Sequence, residues 1–414
     1  MNKPLSRPEI LAPVGDFERL EAAICYGADA VYLGSTEYGM RAASANFDIP
    51  RLRDAAEYAH ERGVRLYLTC NTLPRNSEID RLADFVKDAD AAGVDAFIVS
   101  DIGVLKLIRR VLPEAEIHIS TQTGVVNYLT ACELYEMGAK RVVLARELSL
   151  DEIIEIRRRT PADLEIECFV HGAMCMSFSG RCVLSNYLVG RDANRGECAQ
   201  PCRWNYYLME EKRQGQFFPV FEDEAGTYIL NAKDLCMLEY IDRLTEAGIS
   251  SFKIEGRAKS SYYVSVVTNA YRMAMDDYLA HPGGWQLPGW LMDEVRKVSH
   301  RDYSTGFYFG RPEDGQRYEN GGYIRNCDIV ALVEETDSGR IYCQQKNKFL
   351  EGDELELLEP GKRPVVVTAR DLQDAEGNHI PDTRRAAEAF SMEAPEGLCP
   401  VKGSILRKNM TPAR

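Results

Sequence analysis

From residue 9 to about residue 280 the chain repeats one rhythm: a short apolar, β-branched run, a polar turn, then a segment of helical spacing. Nothing else in the sequence constrains the fold as strongly. The runs fall at 10–12, 30–34, 65–70, 96–100, 117–120, 141–145, 165–170 and 251–255, eight in all. Helix-patterned stretches at 17–26, 52–62, 79–92, 104–111, 128–137 and 150–159 lie between them. Gly27, Gly63, Gly93 and Gly138 stand just past helix ends, where a left-handed stop is needed. Eight strand–helix units in alternation predict an α/β chain folded as a closed (β/α)8 barrel of the TIM type, with a doubly wound open sheet as the alternative.

One gap breaks the rhythm. About 80 residues separate the seventh run from the eighth, where a short loop and one helix would suffice. Four of the twelve cysteines, Cys175, Cys182, Cys198 and Cys202, crowd into this gap in glycine- and arginine-rich sequence, spaced Cys-x6-Cys-x15-Cys-x3-Cys. Four converging thiolates suit an iron–sulfur cluster or a structural zinc. The absence of paired Cys-x2-Cys knuckles favours iron–sulfur. Cys236 follows the group and competes with Cys202 for the fourth place. Cys25, Cys70, Cys132 and Cys168 lie in apolar stretches and read as small core residues. Loops that follow barrel strands gather at the C-terminal face, so an insertion after strand 7 would place its metal over the barrel mouth.

Polar residues also collect at the ends of the runs. In the last run, alternation puts Phe252 and Ile254 on one face and Lys253, Glu255 and Arg257 on the other. Three charges facing one way inside a barrel form either a neutralising ion-pair layer or a site. Asn71, Gln122, Arg146 with Glu147, and His171 close other runs and would line the same mouth; a single histidine there is as readily structural as catalytic. No Gly-x-Ser-x-Gly elbow and no His-Glu-x-x-His helix occurs, so ordinary serine hydrolase and zinc protease chemistry lack their parts.

With 50 basic and 64 acidic residues the formal charge is −14, which excludes a protein that coats nucleic acid non-specifically and confines any such contact to a local basic patch. Arg191, Arg195 and Arg203, in the insertion, are the candidates. The N-terminus has no apolar leader core and the chain has no run of 18 apolar residues, so a cytoplasmic, non-membrane protein without disulfides is expected. After a helix-rich stretch around 262–298 the pattern changes at about Tyr323 to short alternating strands at 328–333, 340–343, 353–358 and 364–368, with Gly352 and Gly361 as turn residues. The expected division is a barrel domain over 1–310, with the cluster-binding insertion at about 171–250, and a small antiparallel β-barrel domain over 311–414.

The segment His171-Gly-Ala-Met-Cys-Met-Ser-Phe-Ser-Gly-Arg-Cys182 closely resembles the signature of the collagenase-like peptidases, family thirty-two of the unassigned U class. The likeness begins at Ile10-Leu-Ala-Pro-Val-Gly-Asp16 and Gly27-Ala-Asp-Ala-Val-Tyr-Leu-Gly34. It passes through Phe252-Lys-Ile-Glu-Gly-Arg257 and ends at Ser299-His-Arg-Asp-Tyr-Ser-Thr-Gly-Phe307. Arg146-Glu-Leu-Ser149, the stretch from Asn194 to Trp204, and Ile229-Leu-Asn-Ala-Lys-Asp234 resemble most the family's tRNA-hydroxylating branch.

That resemblance implies a [4Fe–4S] cluster on Cys175, Cys182, Cys198 and Cys202, and formation of 5-hydroxyuridine at the wobble position of tRNA without molecular oxygen, with prephenate as hydroxyl donor. Lys253 and Arg257 would bind the anionic donor, Glu255 and His171 would complete the catalytic set, and Trp204 would stack the flipped base or simply pack. Two other readings stand beside this one: a collagenase-like peptidase with a structural metal, and a non-catalytic subunit paired with a paralogous partner.

Overall fold

The computed structural model describes residues 7–38, 46–174, 233–310 and 323–410 apart from 384 and 386, with isolated positions between 175 and 232. Eight parallel strands pair in chain order: β1 (Glu9–Pro13), β2 (Ala30–Gly34), β3 (Arg65–Cys70), β4 (Ala96–Val99), β5 (Glu116–Ile119), β6 (Arg141–Val143), β7 (Glu165–Gly172) and β8 (Ser251–Ile254). β8 pairs with both β7 and β1, which closes the barrel. The expected (β/α)8 fold is therefore the fold that forms.

Helices α1 (Phe17–Cys25), α2 (Ile49–His60), α3 (Asn76–Ala91), α4 (Ile102–Val111), α5 (Tyr128–Glu136), α6 (Leu150–Arg159), α7 (Ile241–Glu246) and α8 (Ser261–Ala280) surround it. Six of them begin on a side chain that accepts from the backbone N–H three residues on: Asp16, Asp48, Asp101, Asn127, Ser149 and Ser260. Each such cap contributes about 1 kcal/mol and fixes where the chain leaves the strand ends. Residues pointing outward from the strands, such as Ile10, Val31, Leu66, Phe97 and Ile166, pack against the helices in one continuous core.

The barrel interior is divided. Leu11, Ala30, Tyr32, Tyr67, Ala96 and Ile98, from β1–β4, form a separate apolar cluster. The facing strands β5–β8 carry charge. Arg141 bonds Glu9 at 2.6 Å, Glu165 at 2.6 Å and Glu167 at 3.0 Å, and the Lys253 ammonium bonds Glu167 at 2.6 Å while lying 4.5 Å from the centre of the Tyr32 ring. His118 contacts Glu116 at 2.7 Å and packs edge-on against Tyr67. Burial alone would raise the Glu167 carboxyl, but the charges of Lys253 and Arg141 outweigh it and hold the group at about 2.

Past the barrel, the chain forms a curled seven-stranded antiparallel sheet of β9 (Cys327–Asp337), β10 (Arg340–Gln345), β11 (Glu354–Leu358), β12 (Val365–Thr368), β13 (Gln373–Asp374), β14 (Ala389–Glu393) and β15 (Ile405–Asn409), in the order β12-β11-β15-β9-β10-β14-β13. It lies against α8, which is why that helix is buried nearly all round. The Arg407 guanidinium, fully buried, bonds Glu294 and Glu356 at 2.7 Å each, and Tyr26 donates to the carbonyls of Leu358 and Gly403. Among the described residues no helix is long and apolar enough to cross a membrane.

The inner charge layer makes two predictions. Removing one partner of a buried pair strands the other, so Glu167→Gln should cost about 3–5 kcal/mol in chemical denaturation. The double variant Glu167→Gln with Lys253→Met should lie closer to the parent than the sum of the singles. Additive losses would contradict the pairing. Because the Glu167 pKa is depressed in the fold, its contribution is complete at neutral pH and is lost as pH falls from about 4.5, the ordinary value, towards 2; Glu167→Gln should flatten stability across that window.

Candidate active site at the barrel mouth

The residues that follow the strands build the mouth. Arg257, three residues beyond β8 and 4% exposed, donates to Thr69 Oγ1 at 3.1 Å and Asn46 Oδ1 at 3.4 Å. Its guanidinium passes directly over Gly34: a Cβ on that residue would stand 2.6 Å from Nη2. The glycine at the end of β2 therefore makes room for the arginine. Gly172, at φ +108, does the same on the other side, since a Cβ there would meet the Glu255 carbonyl at 2.4 Å.

Arg146 follows β6. It lies over the Phe169 ring at 3.9 Å and donates to the Ala173 carbonyl at 2.7 Å; its nearest carboxylate, Glu255, is 3.8 Å away. Across the mouth the Asn71 amide donates to Gln122 Oε1 at 2.6 Å, and the Ser100 hydroxyl donates to the same oxygen at 3.1 Å. Asn71, Gln122, Arg146, Glu255 and Arg257 thus share the strand-end face that the sequence assigned to them. Glu147, beside Arg146, is exposed.

Two expected members lie elsewhere. Lys253 belongs to the inner charge layer, its ammonium committed to Glu167. His171 sits at an irregularity in the ladder: Lys253 is opposite Phe169, but Ile254 is opposite His171, so one residue of β7 is skipped and the alternation of sides breaks. The ring is enclosed by Tyr263, Tyr271 and Tyr303, with centroids 6.0, 5.6 and 5.2 Å away, and neither nitrogen has a hydrogen-bond partner. Burial, with the charges of His300 and Lys259, pushes its pKa down to about 3, so the ring is neutral at physiological pH.

Two short strands that the sequence pattern missed extend the sheet beside it. Asp234–Cys236 pairs antiparallel with the end of β7, Cys236 opposite His171, and Tyr303–Ser304 pairs with Asp234–Cys236. Cys236 is buried, and burial raises its thiol to about 12. Cys175, Cys182, Cys198, Cys202, Arg191, Arg195, Arg203 and Trp204 lie outside the described residues. Among the described residues no histidine is hydrogen-bonded to a serine or cysteine: His118 contacts Glu116, His300 contacts backbone carbonyls, and His60 and His379 contact carboxylates.

Comparison with known proteins agrees with this architecture. The chain is 37% identical over 405 residues to tRNA hydroxylation protein P1 of Bacillus subtilis, covering 97% of this chain and 95% of the relative. It is 36% identical over 417 residues to tRNA hydroxylation protein P of Escherichia coli, covering 91% of each. A collagenase of Porphyromonas gingivalis is 36% identical over 387 residues, covering 88% of this chain and 90% of the relative. Residues 15–318 match the model of Peptidase family U32 and residues 325–407 that of the Peptidase family U32 C-terminal domain. The chain belongs to peptidase family U32.

Proposed function

We propose that the protein is an RNA hydroxylase that converts the wobble uridine of tRNA to 5-hydroxyuridine without molecular oxygen, using prephenate as hydroxyl donor and a [4Fe–4S] cluster bound by the insertion after β7. The observation that carries this reading is end-to-end similarity to two proteins named for tRNA hydroxylation, coupled to a mouth where the described residues place the guanidinium groups of Arg146 and Arg257 with the Glu255 carboxylate. The collagenase relative keeps a peptidase in view. Against it, the buried thiols of Cys70 and Cys236 are each raised to about 12, and among the described residues no histidine is hydrogen-bonded to either.

The cysteine donor set fits a thiolate-held cluster. Cys175, Cys182, Cys198 and Cys202 would hold it, with Cys236 the rival of Cys202: Cys236 lies opposite His171, four residues before Cys175, where the insertion leaves the barrel. A nearby cation would favour the Cys236 thiolate that burial now opposes. When bound, the cluster supplies one-electron transfer.

The protein's own groups have separable tasks. Replacing the hydrogen at C5 of uridine by hydroxyl oxidises the ring by two electrons, so the oxygen donor takes up two electrons and the C5 proton leaves. Glu255 is the mouth carboxylate placed to accept that proton. Arg257, a planar fork held by Thr69 and Asn46, holds a donor carboxylate. Asn71, Gln122 and Ser100 offer an amide and hydroxyl edge to the base. Lys253 and His171 support the walls of the site.

Mass spectrometry of tRNA nucleosides tests this. A deletion strain should lack 5-hydroxyuridine and its derivatives, and the parent gene should restore them. Arg257→Lys should restore about a tenth or less, because losing a charge-assisted contact costs about 1.5–3 kcal/mol. Its anaerobically purified protein should keep its iron, whereas Cys175→Ala and Cys182→Ala lose it. Full restoration by Arg257→Ala, or unchanged modification in cells unable to make prephenate, would overturn the assignment. For the fourth ligand, iron retained in Cys236→Ala and lost in Cys202→Ala is the expected pair of results.

A further inference from the structure

Among the buried or nearly buried arginines of the barrel and its flank, Arg141, Arg407 and Arg146 differ in their surroundings. Arg141 is surrounded by Glu9, Glu165 and Glu167, and Arg407 by Glu294 and Glu356, so both are neutralised by carboxylates in hydrogen-bond contact. Arg146 is not. Its side chain is only 11% exposed, yet of the five N–H donors of a guanidinium one is used, on the Ala173 carbonyl. Its Nε is buried with no hydrogen-bond partner, and Glu255 at 3.8 Å lies beyond hydrogen-bond reach. The side chain is nonetheless fixed in place by the Phe169 ring 3.9 Å beneath it.

A buried cation held rigid with unused donors is expensive unless something fills them, and a carboxylate can take two donors of the planar fork at once. The position gives the ligand class. Arg146 lies three residues past the end of β6 and Arg257 three residues past the end of β8, with only β7 between these strands. Glu255, two residues before Arg257 in the chain, lies 3.8 Å from Arg146, while the Arg257 guanidinium reaches over Gly34 to Thr69, so one guanidinium faces the mouth from above β7 and the other from above β2 and β3. Lys253, the second cation that strand alternation had assigned to this task, is already paired with Glu167 at 2.6 Å.

We propose that Arg146 and Arg257 together form a receptor for a small dicarboxylate, each taking one carboxylate, so that Arg146 is the residue that distinguishes a dianionic donor from a monoanionic one. This rests on the hydroxyl-donor reading of the mouth. A ligand carboxylate that reaches hydrogen-bond distance displaces the longer-range attraction of Glu255 and fills the donors that the protein leaves unused.

Calorimetric titration of the anaerobically purified full-length protein tests the assignment with two probes: prephenate, which has two carboxylates, and phenylpyruvate, which has one. The parent should bind prephenate at least about tenfold more tightly, the contribution of one charge-assisted contact. Arg146→Gln should weaken prephenate by about 10- to 100-fold and phenylpyruvate by less than about threefold, so that the preference collapses. Arg146→Lys, which keeps the charge but not the fork, should fall between. Retained phenylpyruvate binding shows that the variant is folded, and thermal melting checks it independently. A parent that discriminates but an Arg146→Gln variant that discriminates equally well overturns the role of Arg146 alone. Equal loss of both probes in a variant that melts like the parent does the same. A parent that binds neither acid overturns the donor reading and this inference together.

Discussion

The contact on which the rest of the molecule depends is the pair of cations that hold Glu167 inside the barrel. A carboxylate with no exposed surface is tolerable only because Lys253 lies 2.6 Å from one oxygen and Arg141 lies 3.0 Å from the other. Arg141 in turn satisfies Glu9 and Glu165, so strands β1, β6, β7 and β8 are joined through one set of charges at the point where the barrel closes. The opposite half of the interior, from Leu11 to Ile98, is apolar and needs no such device. The layer therefore acts as a floor, and its charges are used up there. In the proposed reading Arg146 and Arg257, nearer the strand ends, are the cations that act on molecules entering from the mouth.

A second support comes from outside the barrel. α8 is buried on both sides because the C-terminal sheet covers it, with Arg407, Glu294 and Glu356 forming a buried clamp and Asn269 accepting from the Gly361 amide. The same helix supplies Tyr263 and Tyr271, which enclose His171, and Tyr263 donates to the Glu255 carbonyl. The sheet thereby stiffens the wall that sets Glu255 and the end of β7. Its role in the fold is accounted for by these contacts.

How far this was legible in the sequence depends on the kind of signal. Period-two runs separated by glycine-stopped helical stretches located all eight barrel strands within one or two residues. Helix starts came out up to three residues late, because the first turn is set by caps such as Asp48, Asp101 and Arg75 rather than by apolar spacing. The last strand shows the sharper limit. Alternation correctly placed Lys253 and Arg257 on one side, but it carries no information about depth along the barrel, and depth separates a floor cation from a mouth cation. His171 shows another limit: it stands beside a skipped residue opposite β8, and nothing in the local composition marks that skip. The strand Asp234–Cys236 was missed because three residues carry too little periodicity to register. In the C-terminal region four strands were read, while Gln373–Asp374, Ala389–Glu393 and Ile405–Asn409 went unread in polar, turn-rich sequence.

The central claim is that the interior charges are structural and the strand-end guanidiniums are functional. A crystal structure of the anaerobically purified protein with prephenate tests it most directly. The account predicts density for the dianion at the mouth, one carboxylate on Arg257 and the other on Arg146, with the Lys253 to Glu167 contact unchanged. A ligand carboxylate seated on Lys253, with Glu167 displaced, would contradict it.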